Sequence, residues 1–279
     1  MSEPATSPAI AYQGAPGAFS EDAARALSGP EARLHPCRTL EETFEALAAG
    51  HVDAVVVPIE NTLAGPVPGC ADLLERADAH IVAERVDRIV HAIVAPAGVT
   101  IGAVRRVLSH PVAIAQCELF FRRHPQLTAV PAFDTAGAVA EIMRRGEPDA
   151  AAIASARAAG VYGGVVLADA IQDRDDNFTR FLKVERGSDP GPLQPHRKTT
   201  IVCRLANRPG ALLRALEPFA SRDLNLTRIE SRPVRDSPFE YLFHLDIAPA
   251  AEPDALRGAL VDLTDRAVSM RVLGHYRPV

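Results

Sequence analysis

Short apolar segments alternate with helix-forming segments along residues 10–169, and this order constrains the fold more than any other feature of the sequence. Apolar runs typical of buried strands occupy residues 10–12, 52–57, 104–108 and 150–154. Each run is followed by a turn and then by a segment with apolar residues at helical spacing. The βαβα order predicts an α/β fold with a mostly parallel sheet.

Polar side chains stand where several of these helices are predicted to begin. Ser20, Ser109, Asp134 and Ser155 are each expected to cap a helix, and Pro111 suits a first helical turn. Free backbone N–H groups at helix starts and the carboxyl ends of strands are the usual ligand positions in such folds. The sequence therefore predicts a small-molecule site at this edge of the sheet.

Three hydroxyl side chains follow predicted strands, namely Thr62, Ser109 and Thr135. They would form a carboxylate-binding site if they faced one cleft, although hydroxyls at helix starts are more often caps. Asn61 adds a neutral donor and acceptor beside Thr62. His110 has two interpretations, a general base or a capping and packing residue, because no adjacent carboxylate orients it.

Composition excludes several classes of protein. The formal net charge of -5 over 279 residues argues against a general nucleic-acid binder. No apolar run approaches the roughly 20 residues of a membrane span. Residues 1–9 lack a signal-peptide pattern and are predicted to be a disordered extension. The four scattered cysteines fit neither a zinc site nor a disulfide framework, so we expect reduced thiols and a cytoplasmic location.

A polar run enters an alternating segment between Ile171 and Val184. Residues 172–177 are turn formers, whereas residues 178–184 alternate as in a half-buried strand. Thr179 and Arg180 stand at the junction, where a hydroxyl donor and a guanidinium fork can face a cleft. The alternative is an ordinary strand start in which Arg180 pairs with a neighbouring aspartate.

The C-terminal part of the chain is predicted to be a second module. Residues 187–198 are rich in proline and glycine and are predicted to be a linker. Residues 199–279 then follow the order βαββαβ, which is typical of a ferredoxin-like fold. On this order alone, Gly210 is a helix-start turn and Arg232 a surface ion-pairing residue.

Several segments, in order, resemble the prephenate dehydratase family. Asn177-Phe178-Thr179-Arg180-Phe181 resembles its catalytic signature. The matching segments before it are residues 12–20, 58–62, 110–111, 116–117, 134–136 and 154–155. The departures are Thr62 in place of serine, Val112 in place of glutamine and Gly164 in place of leucine.

The resemblance implies a catalytic part, residues 10–186, with the α/β fold of periplasmic binding proteins. One subdomain would comprise residues 10–88 and 170–186, and the other residues 89–169. The active site would lie in the cleft between them.

The tail resembles an ACT regulatory domain. Its two motifs match residues 207–213 and 230–233, with Leu213 in place of valine. The resemblance implies that these domains pair, giving a homodimer or homotetramer, and bind L-phenylalanine at their interface. The residues implied for this allosteric site are Asn207, Gly210, Ala211, Leu212, Glu230, Ser231 and Arg232.

The resemblance implies a lyase that converts prephenate to phenylpyruvate with loss of CO2 and water, under feedback by L-phenylalanine. Aromatisation drives the reaction, so no cofactor and no metal are expected, and neither nucleic acid nor a membrane is expected as a partner. Thr179, Arg180 and Phe181 would be catalytic, with Thr179 assisting hydroxide departure and Arg180 holding a carboxylate. The implied substrate-binding residues are Asn61, Thr62, Ser109, Gln116 and Thr135.

Two alternatives remain at this point. An arogenate dehydratase would carry the same motifs and make phenylalanine directly. A non-catalytic solute-binding protein would share two α/β lobes around a cleft, although the intact Thr-Arg-Phe triplet argues against it.

Overall fold

A computed structural model of the chain describes residues 7–234 and 240–278. Residues 1–6 of the predicted disordered extension lie outside the described residues, and its last residue, Ala9, begins the first strand. The chain divides into two compact units. The first comprises Met1–Val67 and Val86–Phe181, and the second comprises Pro68–Arg85 and Leu182–Val279.

The elements of the first half, in chain order, are β1 (Ala9–Gln13), α1 (Phe19–Ser28), β2 (Arg33–Cys37), α2 (Leu40–Ala48), β3 (Ala54–Asn61), β4 (Gly65–Pro66), α3 (Cys70–Arg76), β5 (Ala79–Arg88), β6 (Ala92–Ala95), β7 (Arg106–Ser109), α4 (Pro111–Ala115) and α5 (Glu118–Arg123). The remaining elements are β8 (Thr128–Pro131), α6 (Thr135–Arg145), β9 (Ala150–Ala154), α7 (Ala156–Tyr162), β10 (Val165–Ala168), β11 (Phe178–Arg186), β12 (Lys198–Leu205), α8 (Ala211–Ala220), β13 (Leu226–Pro233), β14 (Tyr241–Ile247), α9 (Pro253–Arg266) and β15 (Ser269–Tyr276).

The first unit contains strands of two sheets. In one sheet the order is β2-β1-β3-β11-β5, and β1 is parallel to both β2 and β3. In the other the order is β10-β6-β9-β7-β8, with β7 parallel to β8 and β9 but β6 antiparallel to β9 and β10. The α/β class is confirmed. Both sheets are mixed, because β3 is antiparallel to β4 in the first sheet and β6 is antiparallel to β9 and β10 in the second.

Strand β1 is apolar because it is an inner strand of its sheet, between β2 and β3. Ile10 and Tyr12 are almost fully buried and pack with Val56 of β3 and Ala23 and Ala24 of α1. Alternating placement across β1 directs these side chains to the helix-covered face. This packing fixes the carboxyl ends of β1 and β3.

The predicted helix caps were partly right. Asp134 accepts from Gly137 N, and Ser155 Oγ accepts from Ala158 N at 3.3 Å. Ser20 does not cap α1, which begins one residue earlier and has Ala18 at its cap position without a side-chain bond. His110, rather than Ser109, caps α4, because its Nδ1 accepts from Val112 N at 3.2 Å.

The second unit contains the predicted βαββαβ order, as β12-α8-β13-β14-α9-β15. The strands are antiparallel in the spatial order β13-β14-β12-β15. Ile201 and Cys203 of β12 face helices α8 and α9, where they pack with Phe219 and Leu263. The ferredoxin-like arrangement is therefore confirmed.

Residues 68–85 belong to this second unit although they lie far from it in sequence. Arg271 of β15 donates to the carbonyl oxygens of Leu74 and Ala77 at 2.6 and 2.9 Å. Lys198 Nζ lies 2.9 and 3.2 Å from the two carboxylate oxygens of Glu84, and both side chains are buried. No helix within residues 7–234 and 240–278 has the length and hydropathy to span a bilayer.

Candidate active site

The end of β3 and the start of β11 are tied together in the first unit. Thr62 N donates to Phe178 O at 2.9 Å. The Thr62 hydroxyl donates to Asp176 O at 2.6 Å and accepts from Phe178 N at 2.9 Å. Thr62 therefore fastens the loop before β11, and its hydroxyl is already engaged in both directions.

Asn61, the last residue of β3, has a side-chain amide whose orientation is fixed by the backbone. Its Oδ1 accepts from the N–H groups of Leu63 and Ala64 at 3.0 and 2.9 Å. Because a backbone N–H can only donate, Nδ2 must point the other way. There it donates to Asn177 Oδ1 at 2.8 Å and to Thr179 Oγ1 at 3.0 Å.

The Thr179 hydroxyl is therefore a hydrogen-bond acceptor from Asn61. Its own proton has no acceptor among the described residues and remains available to donate. Thr179 is partly exposed. The arrangement presents an oriented O–H donor at the start of β11.

Gln116, at the end of α4, joins the same set of neutral amides. Its Nε2 lies 3.3 Å from Asn61 Oδ1, and its Oε1 accepts from Asn177 Nδ2 at 2.9 Å. His91 Nε2 lies 2.8 Å from the same Oε1. Asn61, Gln116 and Thr179 were predicted site residues, and the structure brings them together.

Asn177 and His91 were missed as candidate site residues. Asn177 is fully buried, and its position directly before the Thr-Arg-Phe triplet was the signal that could have identified it. His91 lies in an ordinary-looking apolar segment and has no sequence signal of its own.

Arg180 lies on the opposite face of β11 from Thr179, as alternation along a strand requires. It is 7% exposed, and its Nε lies 2.9 Å from Glu60 Oε1. The two neighbouring strands thus pair Asn61 with Thr179 on one face and Glu60 with Arg180 on the other. The sequence alternative paired Arg180 with a neighbouring aspartate, whereas the ion pair in the structure is with Glu60.

Three further predicted residues occupy other surroundings. Phe181 is 2% exposed and packs with Ile10 and Tyr12 in the core. Ser109 is fully buried and donates to Ile153 O at 2.7 Å. Thr135 is the half-buried first residue of α6. In the described part of the chain, neither Ser109 nor Thr135 forms a hydrogen bond to the side chains of Asn61, Gln116, Asn177 or Thr179.

The chemistry of the site is that of neutral hydrogen-bond groups. Burial lowers the pKa of His91, even though its bond to Gln116 favours the protonated form. Burial also lowers the pKa of His110. Residues 7–234 and 240–278 contain no group of three His, Cys, Asp or Glu side chains placed to hold a metal ion. Such a site can orient a substrate and donate a proton.

The first tail motif surrounds the start of α8. Gly210 has a φ of 75°, a left-handed conformation that favours glycine, and caps α8 without a side-chain bond. Ala211 N donates to Arg208 O at 3.1 Å. Asn207 and Gly210 are exposed, and Leu212 is 36% exposed.

The second tail motif lies on β13. Glu230 is buried and forms ion pairs with Arg228 and Arg232, the latter at 2.6 Å. Ser231 is exposed on the other face of the strand. The motif's two charged residues are therefore bound to each other in this structure.

The comparison with known families gives two matches. The family described as prephenate dehydratase matches residues 10–189, and the family described as ACT domain matches residues 199–265. Both resemblances are confirmed.

Among similar proteins, arogenate dehydratase/prephenate dehydratase 2 of Arabidopsis thaliana is 42% identical over 96% of this chain and 72% of its own length. Arogenate dehydratase 2 of Petunia hybrida is 42% identical over 96% of this chain and 71% of its own length. The Arabidopsis relative is named as chloroplastic, and so are others. The prediction of a cytoplasmic location, made from the scattered cysteines, is therefore wrong.

Two solved structures are similar over nearly the whole chain. A prephenate dehydratase from Arthrobacter aurescens, in complex with L-Phe, has a TM-score of 0.87 and 33% identity over 96% of this chain and 90% of that one. A protein described as a quorum-quenching acylase has a TM-score of 0.88 and 35% identity over 97% of this chain and 98% of that one.

Proposed function

The chain belongs to the prephenate dehydratase family, lyases of aromatic amino-acid biosynthesis, and we propose that it converts prephenate to phenylpyruvate with Thr179 as the proton donor. The observation that carries this proposal is the bond from Asn61 Nδ2 to Thr179 Oγ1 at 3.0 Å. It makes Oγ1 an acceptor and leaves the hydroxyl proton for the substrate.

The reaction breaks the bond between the ring carbon and its hydroxyl while CO2 leaves, and aromatisation supplies the driving force. The departing hydroxide takes the Thr179 proton and leaves as water, and a solvent proton then restores the Thr179 hydroxyl. Thr179 is a weak acid, so its benefit comes from fixed placement rather than acidity. Asn61 and Gln116 hold that placement, and we propose that they and Asn177 also border the bound substrate.

We propose that the substrate's side-chain carboxylate is bound apart from the leaving carboxylate, because tight binding of the latter would stabilise the ground state. Arg180 remains the predicted carboxylate-binding residue. Because its guanidinium is paired with Glu60, Arg180 would have to bind the substrate carboxylate beside Glu60 or in its place. Thr62, Ser109, Thr135 and Phe181 remain predicted site residues, with their side chains engaged or packed as described above.

The test is phenylpyruvate formation from prephenate by the purified full chain and by two variants. Thr179→Val keeps the shape of the side chain but removes the proton, so kcat should fall by about 10²- to 10⁴-fold with KM little changed. Thr179→Ser, the matched control, retains the hydroxyl and should keep most of the activity. Turnover by Thr179→Val close to that of the wild type would refute the proposal.

Arogenate is the second substrate to compare, because relatives 42% identical to this chain are named for it. Arogenate carries an amine where prephenate carries a keto group. The ratio of the two kcat/KM values decides between the substrates, and a ratio strongly favouring arogenate would replace prephenate in the proposal.

An acylase is a second candidate, supported by the similarity to the quorum-quenching enzyme. Thr179 could serve as its nucleophile only with a base to take the proton. The nearest histidine of the network, His91, bonds to Gln116 instead. Hydrolysis of an N-acyl amide abolished by Thr179→Val, without turnover of prephenate, would favour this candidate.

We further propose that two ACT domains of a homodimer or homotetramer bind L-phenylalanine between them. Three features of the second unit support a partner on this module. Leu213 and Ile229, next to or within the two motifs, are 74% and 50% exposed. The first turn of α8 has no side-chain cap, so the N–H groups of Leu212 and Leu213 can receive a carboxylate.

This second proposal has its own measurement. L-Phenylalanine should bind the full chain with one site per chain, and Leu213→Asp should weaken both association and binding. Asp262→Asn, on α9 and outside both motifs, is the control. Undiminished phenylalanine binding by a monomeric Leu213→Asp chain would contradict the proposed interface site.

A further inference from the structure

We propose that His91 is a positioning residue for the proposed reaction: its Nε2–H fixes the orientation of the Gln116 amide, and through it the Thr179 hydroxyl. The inference rests on the proposed function for its kinetic consequence. The protonation state that it assigns to His91 can be tested without any substrate.

The position of the His91 ring is held from several sides. The residue is 2% exposed. Its backbone N–H donates to Gln172 Oε1 at 3.0 Å, and its carbonyl accepts from Ile171 N at 3.0 Å. The ring meets Phe19 edge to face, with centroids 5.8 Å apart.

The direction of every bond between His91 and Thr179 follows from two backbone groups. Leu63 N and Ala64 N require Asn61 Oδ1 as an acceptor, so Asn61 Nδ2 faces Asn177 Oδ1. Asn177 must then present its Nδ2 to Gln116. The Gln116 atom that receives it is Oε1, and an oxygen that faces His91 Nε2 can only accept. His91 therefore carries its proton on Nε2.

The other ring nitrogen completes the assignment. His91 Nδ1 is buried and has no hydrogen-bond partner among the described residues. A proton there would add a positive charge without an acceptor, which is costly in a buried place. His91 is thus a neutral donor to Gln116 and has no second role as an acid or base in this network.

The loss of this donor has a specific consequence. Gln116 Oε1 would keep only Asn177, and the amide could rotate and set its NH2 against the NH2 of Asn177. The bond from Gln116 Nε2 to Asn61 Oδ1 would be lost with it. Since Asn61 holds Thr179 Oγ1, the hydroxyl that donates to the substrate would lose part of its fixed placement.

The variants that test this are His91→Leu, His91→Gln and Gln116→Leu, alone and combined. His91→Leu removes the donor and should lower kcat about tenfold with little change in KM. A tenfold fall in rate corresponds to the free energy of about one hydrogen bond. His91→Gln places an amide N–H near the position of Nε2 and should restore most of kcat. His124→Leu, a half-buried histidine outside the network, is the matched control and should leave kcat unchanged.

The double variant separates positioning from a general structural effect. In the Gln116→Leu background, His91→Leu should have almost no further effect on kcat, because the residue through which it acts is gone. An unchanged tenfold loss in that background would overturn the inference. So would a well-folded His91→Gln chain as impaired as His91→Leu.

The ring-nitrogen chemical shifts of His91 in the wild-type chain give the second readout, with the His91→Gln chain identifying the signal. A protonated Nε2 and an unprotonated Nδ1 are expected at neutral pH. A protonated Nδ1 overturns the inference even if the chain turns over prephenate. Absence of turnover by the wild type would instead refute the proposed function and leave the tautomer result intact.

Discussion

Loss of the buried ion pair between Lys198 and Glu84 should strongly reduce the stability of the second unit. The side chains are 11% and 5% exposed, and their charged atoms are 2.9 and 3.2 Å apart. At an effective dielectric constant of about 20, charges about 3 Å apart attract by about 5 kcal/mol. Desolvation offsets part of this in the intact pair. Removal of one partner leaves that cost without the attraction, so Glu84→Gln should lower the free energy of unfolding by about 3–5 kcal/mol.

Urea denaturation of the full chain measures this loss, followed by far-UV circular dichroism because the chain contains no tryptophan. Replacing both partners, as Lys198→Met with Glu84→Leu, should recover most of the stability, since apolar pairs of similar size often match a buried ion pair. Arg122→Met breaks an exposed helical pair, 72% and 62% exposed, and should cost about 0.5 kcal/mol. A loss for Glu84→Gln no larger than this control would refute the reasoning.

Further predictions concern His244 and Gly274 of the same unit and Gly160 in α7 of the first unit. Burial, with a smaller contribution from Arg228, lowers the pKa of His244 from 6.5 to about 4. As the pH falls, the unfolded chain therefore takes up a proton on His244 before the folded chain does. The free energy of unfolding should fall by about 3 kcal/mol as the pH drops from 6.5 to 4. His244→Gln should remove that share of the pH dependence in urea titrations, and an unchanged slope would contradict it. A Cβ at Gly274 would lie 2.3 Å from Ile81 O, so Gly274→Ala should cost about 3 kcal/mol. Gly160→Ala, in open space within α7, should be neutral or stabilising by up to about 1 kcal/mol in the same assay.

The fold could be predicted largely from local signals. Apolar runs, glycine turns and caps such as Asp134 and Ser155 depend on residues within a few positions of each other, and sequence shows these directly. The βαββαβ order of the tail followed from the same signals. The α/β class and both families were therefore within reach of the sequence.

The site was only partly predictable because its bonds join residues far apart in the chain. Asn61 and Thr179 could be selected by their types and motifs, but the direction of the bond between them depends on Leu63 and Ala64. The placement of Arg180 opposite Thr179 follows from strand alternation, yet a loop junction obscures where that alternation starts. His91 carries no local pattern, and its role depends on Gln116.

The assignment of residues 68–85 to the second unit has a consequence for the proposed regulation. Strand β5 carries Glu84, which pairs with Lys198 of the ACT sheet, and continues to Arg88 at its other end. Arg88 donates to Asp175 O at 3.1 Å, and the next residue, Ile89, donates through its N–H to Asn177 O at 2.8 Å. One continuous stretch of chain, β5 and Ile89, therefore contains both the ion-pair residue Glu84 and the residue that bonds to the Asn177 backbone. The side-chain amide of Asn177 in turn donates to Gln116. If phenylalanine acts through the ACT sheet, Glu84→Gln should reduce inhibition more than it reduces phenylalanine binding. Equal losses of both would show that β5 does not carry the signal.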